Sequence, residues 1–148
     1  MVAQLHEPIQ ASLLITDDDA LCRTRFRDIF ANKGYETFVA ACGLEALSIA
    51  RSRDVHVAIL DMHLPDMSGL ETLGHIHKET GYFVPAILVS HDKSKELQLK
   101  ALAARFAAYL SKPVRLDVLG RVVENLVARN YPGTFWPDHG PQPGSETP

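Results

Sequence analysis

Residues 55–60 form a short, almost wholly apolar run that is rich in β-branched side chains and ends at Asp61. A run of this kind predicts a central strand of a parallel sheet, buried on both faces. Because the ligands of open α/β sheets gather beyond the carboxyl ends of the strands, Asp61 lies where chemistry is expected. An aspartate that only stabilises a turn is the alternative interpretation. Ser68 and Glu71 then match a capping box, which predicts that a helix begins after this turn.

Other apolar segments alternate with helix-like segments along the rest of the chain. The strands are expected at residues 12–16, 35–40, 55–60, 85–90 and 106–110. A helix is expected after each strand: the first ends at Gly34, the next three cover residues 44–51, 68–79 and 92–104, and the last follows Pro113. Strict alternation of this kind implies one parallel sheet that is covered by helices on both faces.

Composition indicates a globular protein with one domain. The 148 residues suffice for one hydrophobic core, and the net charge of −3 argues against a nucleic-acid surface, which would be basic. No apolar run approaches the length of a membrane span, and the N-terminus carries no secretory signal pattern. Cys22 and Cys42 lack a recognisable spacing, and Cys22 is expected to be a buried free thiol. We therefore expect a cytoplasmic protein that binds neither membranes nor nucleic acid directly.

Composition also predicts the boundaries of the domain. Residues 1–10 resemble a flexible leader, and residues 11–129 carry the alternating strands and helices. Prolines and glycines become frequent from residue 130, so we expect residues 130–148 to be a disordered tail. Tyr131, Phe135 and Trp136 in this tail also suit a segment that docks on a partner or on the domain itself.

Polar residues of several types stand at the ends of the predicted strands. They are Asp17 and Asp18 after the first strand, Asp61 after the third, Ser90 at the end of the fourth and Lys112 after the fifth. The carboxyl ends of parallel strands lie on one edge of the sheet, so these side chains should converge. Clustered carboxylates repel one another and invite a divalent cation, and oxygen ligands suit Mg²⁺. Such a site would stabilise a transferring phosphoryl group, with Asp61 as the nucleophile that forms an acyl phosphate.

The residues TDD at 16–18, DMHLPDMSGLE at 61–71, Ser90 and YLSKP at 109–113 resemble the receiver domain of two-component response regulators. The resemblance covers roughly residues 11–129, and its motifs occur in the family's order. It implies a flavodoxin-like (βα)5 fold, a three-layer sandwich with strand order 2-1-3-4-5. It also implies that Asp61 receives a phosphoryl group from a sensor histidine kinase or a histidine phosphotransfer protein.

The resemblance further implies how the site would work. Asp18 and Asp61 would bind Mg²⁺ directly, together with the backbone carbonyl of His63, and Asp17 would bind it through water. Lys112 would contact the phosphoryl oxygens. The peptide bond before Pro113 would be cis, as in the family.

The resemblance places a conformational switch next to this site. Ser90 would be the switch hydroxyl that moves toward the phosphate, and Tyr109 the aromatic residue that rotates inward with it. His63 and Asp92 would tune the lifetime of the phosphate. Output would pass through the face formed by helix four, strand five and helix five, where a downstream protein, an output domain or a second copy of the chain would bind.

Two residues depart from the family pattern. Arg105 stands where the family commonly has glycine, so helix four must end without glycine's freedom at positive φ, at a cost of about 1 kcal/mol. Phe106 is larger than the residue expected after it.

Three other functions compete with a phosphorylated switch. A phosphorylation-independent, receiver-like adaptor would not need the complete set of site residues. A phosphohydrolase of the haloacid-dehalogenase type usually has an aspartate two residues after its nucleophile, where this chain has His63. A nucleotide-binding domain would have a glycine-rich first turn, whereas here Thr16 is followed by acids that repel phosphate unless a metal intervenes. For the leading interpretation we expect no enzymatic activity beyond slow self-phosphorylation from small phosphodonors and self-dephosphorylation.

Overall fold

The computed structural model describes residues 10–132, so nearly all of the predicted leader and tail, including Phe135 and Trp136, lie outside the described residues. Strands and helices alternate throughout. In chain order they are β1 Ser12–Thr16, α1 Ala20–Asn32, β2 Glu36–Ala40, α2 Gly43–Ser52, β3 Val57–Asp61, α3 Gly69–Thr80, β4 Ala86–Ser90, α4 Lys95–Ala103, β5 Ala108–Ser111 and α5 Leu116–Asn130. Within this part of the chain, no helix combines the length and apolar character needed to cross a bilayer.

The five strands form one parallel sheet in the order β2-β1-β3-β4-β5, which confirms the predicted topology. The central strand β3 lies between β1 and β4, and all of its residues are buried. The register aligns Asp61 with Val89 and Ser90 with Ser111. The carboxyl ends of β1, β3, β4 and β5 therefore lie together along one edge of the sheet.

Two hydrophobic layers hold the helices against the sheet. On one face, Leu60 and Leu88 belong to a buried cluster with residues of α2, α3 and α4. On the other face, Ile59 and Ile87 belong to a second cluster with residues of α1 and α5. Successive strand residues alternate between the faces, so a wholly apolar strand contributes to both layers. Because all of β3 is buried, the surrounding packing holds its last residue, Asp61, in a fixed position at the edge of the sheet.

Local signals explain where several elements begin and end. Ser68 and Glu71 form the predicted capping box at the start of α3. Gly34 has φ 96° after α1. Arg105 has φ 72° after α4, so it keeps the left-handed geometry that glycine favours, which is the case in which a cost of about 1 kcal/mol was expected. The peptide bond between Lys112 and Pro113 is cis.

Some boundaries differ from the predicted ones. Helix α4 begins at Lys95 rather than at residue 92, because the Ser94 hydroxyl caps it by accepting a hydrogen bond from the Leu97 N–H. Strand β5 begins at residue 108, because the Phe106 N–H bonds back to the Ala101 carbonyl and keeps this segment at the helix end.

The predicted burial of Cys22 is wrong: it is a free thiol with partial exposure. Cys22 lies in the first turn of α1, whereas Phe26 and Phe30, further along the helix, make the contact with the core.

A polar cluster ties β1, β3 and α5 together at the end of the sheet opposite Asp61. The backbone N–H of Ser12 donates to Nδ1 of His56 at 2.9 Å, and the Tyr131 hydroxyl donates to the His56 carbonyl at 2.8 Å. The rings of His56 and Tyr131 also meet edge to face, with centroids 4.8 Å apart. Burial lowers the pKa of His56, against the opposing charges of Asp54 and Glu36, and it raises the pKa of Tyr131 to about 12.

We expect the stability advantage of the native chain over His56→Gln to decrease as the pH falls. A histidine whose folded pKa lies below its unfolded value of about 6.5 stabilises the fold fully above that pH and progressively less below it. The advantage, about 1 kcal/mol at neutral pH for one hydrogen bond, is measurable by urea unfolding across the acidic range. An advantage that did not change with pH would contradict this assignment.

Candidate functional site

The acidic residues of the site stand at the carboxyl ends of β1 and β3. Asp17 directly follows β1, and its N–H donates to the Ala40 carbonyl at the end of β2, which holds its backbone in place. Asp61 is the last residue of β3. Both side chains are buried, with residue exposures of 2% and 4%, whereas Asp18 is exposed. The sheet thus supplies two buried carboxylates next to one that faces solvent.

Asp17, Asp18 and Asp61 form a cluster that fits a metal ion. Each offers one carboxylate oxygen, and these oxygens lie within 4.8 Å of one another. Three carboxylates without nitrogen or sulfur ligands suit a hard cation, and Mg²⁺ is commonly held by a few carboxylates while it keeps several waters. The chemistry of these donors therefore fits the ion that the sequence predicted.

Lys112 brings a positive charge between the two buried acids. Its Nζ donates to Oδ2 of Asp17 at 3.1 Å and to Oδ2 of Asp61 at 3.0 Å. The Lys112 backbone N–H bonds to the Ser90 carbonyl, so the end of β4 positions the lysine. One ammonium does not neutralise three carboxylates, and the site therefore keeps a net negative charge that favours a second cation.

The electrostatics of the site follow from this arrangement. Burial raises the pKa of Asp17, and repulsion from Asp61 adds to the increase, although the Asp19 N–H and Lys112 act in the opposite direction. Burial acts to lower the pKa of Lys112, but the hydrogen bonds and charges of Asp61 and Asp17 outweigh it and raise the pKa. Lys112 is therefore a stable positive charge at neutral pH.

The segment after Asp61 turns sharply over the site. The His63 N–H donates to Oδ1 of Asp61 at 3.3 Å, and the Gly69 N–H donates to the Met62 carbonyl at 2.8 Å. A β-carbon on Gly69 would lie 2.5 Å from the Asp61 carbonyl oxygen, so only glycine permits this close return of the chain. His63 is therefore held beside the Asp61 carboxylate, while its side chain is exposed.

Ser90 and Asp92 line the neighbouring edge of the site. Ser90 is fully buried, and its Oγ accepts a hydrogen bond from the Asp92 N–H at 3.0 Å. Asp92 is exposed, and its Oδ1 accepts from the Ser94 N–H at 2.8 Å. This hydrogen bond lowers the pKa of Asp92, and His63 contributes in the same direction, so these two side chains interact across the mouth of the site.

Tyr109 points its hydroxyl group into the protein. The hydroxyl is buried, and it makes no hydrogen bond of ordinary geometry within residues 10–132. Burial raises the pKa of Tyr109, and the nearby Ser90 side chain acts to lower it. The Ser90 side chain therefore lies close enough to influence the pKa of Tyr109, but the two hydroxyl groups do not form a regular hydrogen bond. The structure thus places the Tyr109 hydroxyl inside the protein near Ser90, and the rotation expected of this residue stays a prediction.

Sequence reasoning missed two residues that support the site. Arg23, near the start of α1, donates from Nη1 to the Asp17 carbonyl at 2.7 Å. Asp66 accepts hydrogen bonds from the first residues of α2. Their partners are fixed by tertiary packing, although an aspartate directly after Pro65 in a turn was a signal worth weighing.

Comparison with known proteins agrees with this geometry. The family profile of the response regulator receiver domain matches residues 13–124. The chain belongs to this family. The acidic cluster, Lys112 and all of the sheet except Ser12 lie within the residues that match the receiver domain.

Individual relatives show how widely this domain is used. The chain is 33% identical over 116 residues to the polar-differentiation response regulator DivK of Brucella ovis. This alignment covers 78% of the present chain and 92% of DivK. It is 37% identical over 102 residues to a protein-glutamate methylesterase/protein-glutamine glutaminase of Rhodopseudomonas palustris. That match covers 68% of this chain but 28% of the relative, so the chain spans little more than a quarter of that protein's length.

Solved structures show the same fold. A CheY-like response regulator receiver domain from Methanospirillum hungatei superimposes with a TM-score of 0.74 and 32% identity. The superposition covers 82% of this chain and 97% of that structure. The flavodoxin-like fold predicted from the sequence is confirmed.

We expect Asp17→Asn to raise the midpoint of thermal unfolding in the absence of divalent cations. The substitution removes one of two buried carboxylates that share a single ammonium, so it relieves both desolvation and repulsion. Differential scanning calorimetry in a chelator would measure the shift. Asp117→Asn, which changes an exposed aspartate, is the matched control and should change the midpoint little. A lower midpoint for Asp17→Asn would contradict the expectation.

Proposed function

We propose that this receiver domain is a phosphorylated switch of a two-component pathway and that Asp61 accepts the phosphoryl group. The supporting observation is the buried Asp61 carboxylate, 3.0 Å from the Lys112 ammonium and beside Asp17 and Asp18. A carboxylate oxygen attacks phosphorus of a phosphohistidine, the P–N bond breaks, and the imidazole keeps the electron pair and takes up a proton. The donor is a sensor histidine kinase or a histidine phosphotransfer protein.

The chain's own residues hold the phosphoryl group in place. Bound Mg²⁺ would supply positive charge to neutralise the phosphoryl oxygens. Asp18, Asp61 and the His63 carbonyl would hold the ion directly, and Asp17 through water. Lys112, now bonded to two carboxylates, would transfer one of its hydrogen bonds to a phosphoryl oxygen.

The switch would couple Asp61 to a protein-binding face. Ser90 would turn its hydroxyl from the Asp92 N–H toward the phosphate, and the Tyr109 hydroxyl lies near Ser90. Tyr109 also lines a groove of about 420 Å³ between α4 and β5, where Leu99 and Leu102 are exposed. A movement of Tyr109 would therefore reshape a surface that a downstream protein, an output domain or a second copy of the chain would bind.

The cellular setting follows from the same proposal. The free cysteines Cys22 and Cys42 suit a reducing compartment, and we place the protein in the cytoplasm with its kinase. Phosphoryl transfer to its own Asp61 and slow loss of that group are the only reactions proposed for the domain.

We expect acetyl phosphate and Mg²⁺ to phosphorylate the native protein and to leave Asp61→Asn unmodified. Asn cannot form an acyl phosphate, whereas it preserves the size and shape of the side chain. Mass spectrometry of the intact protein would measure the added phosphoryl group, and NMR spectra with beryllofluoride would report the switch. No response of the native protein would favour the phosphorylation-independent adaptor. Turnover of many phosphate esters would indicate a phosphohydrolase instead.

We expect joint substitution of His63 and Asp92 by alanine to change the half-life of the phosphorylated protein. Both side chains are exposed at the mouth of the site and interact there, so they control how water approaches the phosphate. Decay of the phosphorylated form would be followed by mass spectrometry. Joint substitution of His75 on α3 and Asp117 on α5, which are exposed and outside the site, is the matched control. An unchanged half-life would remove both residues from this role.

A further inference from the structure

Asp66 binds the N-terminus of a helix that is distant in the sequence. Its Oδ1 accepts a hydrogen bond from the Gly43 N–H at 2.8 Å, and its Oδ2 accepts one from the Leu44 N–H at 2.9 Å. These are the first two N–H groups of α2, which have no partners inside their own helix. The positive end of the helix dipole also favours a carboxylate at this place.

Helix α2 has no side-chain cap of its own. Cys42 occupies its N-cap position and makes no capping hydrogen bond through its side chain. In most helices a residue at the N-cap itself supplies this acceptor. Here the acceptor comes from the segment of residues 62–68 between β3 and α3, so the cap is also a link between two parts of the fold.

The same segment packs tightly against α2. A β-carbon on Gly43 would lie 2.4 Å from Cγ of Met67 and 2.9 Å from Oγ1 of Thr72. At the other end of the segment, the Gly69 N–H bonds to the Met62 carbonyl and the His63 N–H to Asp61. Residues 62–68 are thus held at both ends, by α2 through Asp66 and by β3.

We propose that Asp66 is a positioning residue for the metal site, because it ties to the start of α2 the segment of residues 62–68 that carries the His63 carbonyl. This inference rests on the proposed function, which assigns that carbonyl to Mg²⁺. Asp66 itself touches neither the metal nor the phosphoryl group. Its loss would free the segment from α2 and widen the range of positions of the carbonyl, so the carboxylates would hold the ion with one ligand less well placed.

The test compares Asp66→Ala with Glu45→Ala. Glu45 lies in the first turn of α2 and accepts a hydrogen bond from the Ala41 N–H at 2.7 Å. This hydrogen bond stays within residues 41–45 and does not involve residues 62–68. Both variants remove one carboxylate and backbone hydrogen bonding near the start of α2. We expect Asp66→Ala to weaken Mg²⁺ affinity by roughly tenfold, the lower end for residues that orient metal ligands. We expect Glu45→Ala to stay near the native value.

Mg²⁺ titration followed by ¹⁵N–¹H NMR gives the affinity without any phosphoryl transfer, and circular dichroism checks that each variant folds. Asp66→Asn keeps one acceptor oxygen and should restore part of the affinity. Equal affinities for Asp66→Ala and Glu45→Ala would overturn the positioning role while phosphorylation of the native protein still supported the proposed function. A native protein that bound no Mg²⁺ would overturn both.

Discussion

The two hydrogen bonds from the Lys112 ammonium to Asp17 and Asp61 are the interactions on which the site depends. Two carboxylates this deeply buried would repel each other and lose much of their hydration without a cation between them. Lys112 offsets part of that cost, and the exposed Asp18 leaves room for a metal to offset more. The three carboxylates and one ammonium therefore leave the site with a net negative charge. This net negative charge favours the binding of a cation.

The sheet makes this arrangement possible because it is rigid where the charges are held. Asp61 is the last residue of a strand that both hydrophobic layers enclose, and Asp17 is bonded through its backbone to the end of β2. The acids are thus positioned by strands and not by free loops. The residues that would move lie further along the sheet edge, where Ser90 is bonded to Asp92 and Tyr109 keeps a buried hydroxyl without a regular hydrogen bond among the described residues.

The segment after β3 ties the end of this buried strand to a neighbouring helix. Gly69 lets the chain return against the Asp61 carbonyl, and Asp66 fastens the turn to α2. Helix α2 packs on α3 and on the same sheet face as Leu60. The turn is therefore tied to that layer through hydrogen bonds and close packing between neighbouring elements.

The sequence by itself determined the features that depend on neighbours in the chain. Apolar runs and periodicity indicated the strands and helices, and Ser68 and Glu71 indicated the capping box, because each of these follows from a few consecutive residues. Strand-end positions and the family resemblance also predicted which side chains would gather at the sheet edge. Tertiary structure alone decided that Lys112 bridges both acids and that Asp66 caps a helix more than twenty residues away. Such contacts depend on how the segments between strands and helices run across the packed layers, and short-range sequence patterns do not determine this.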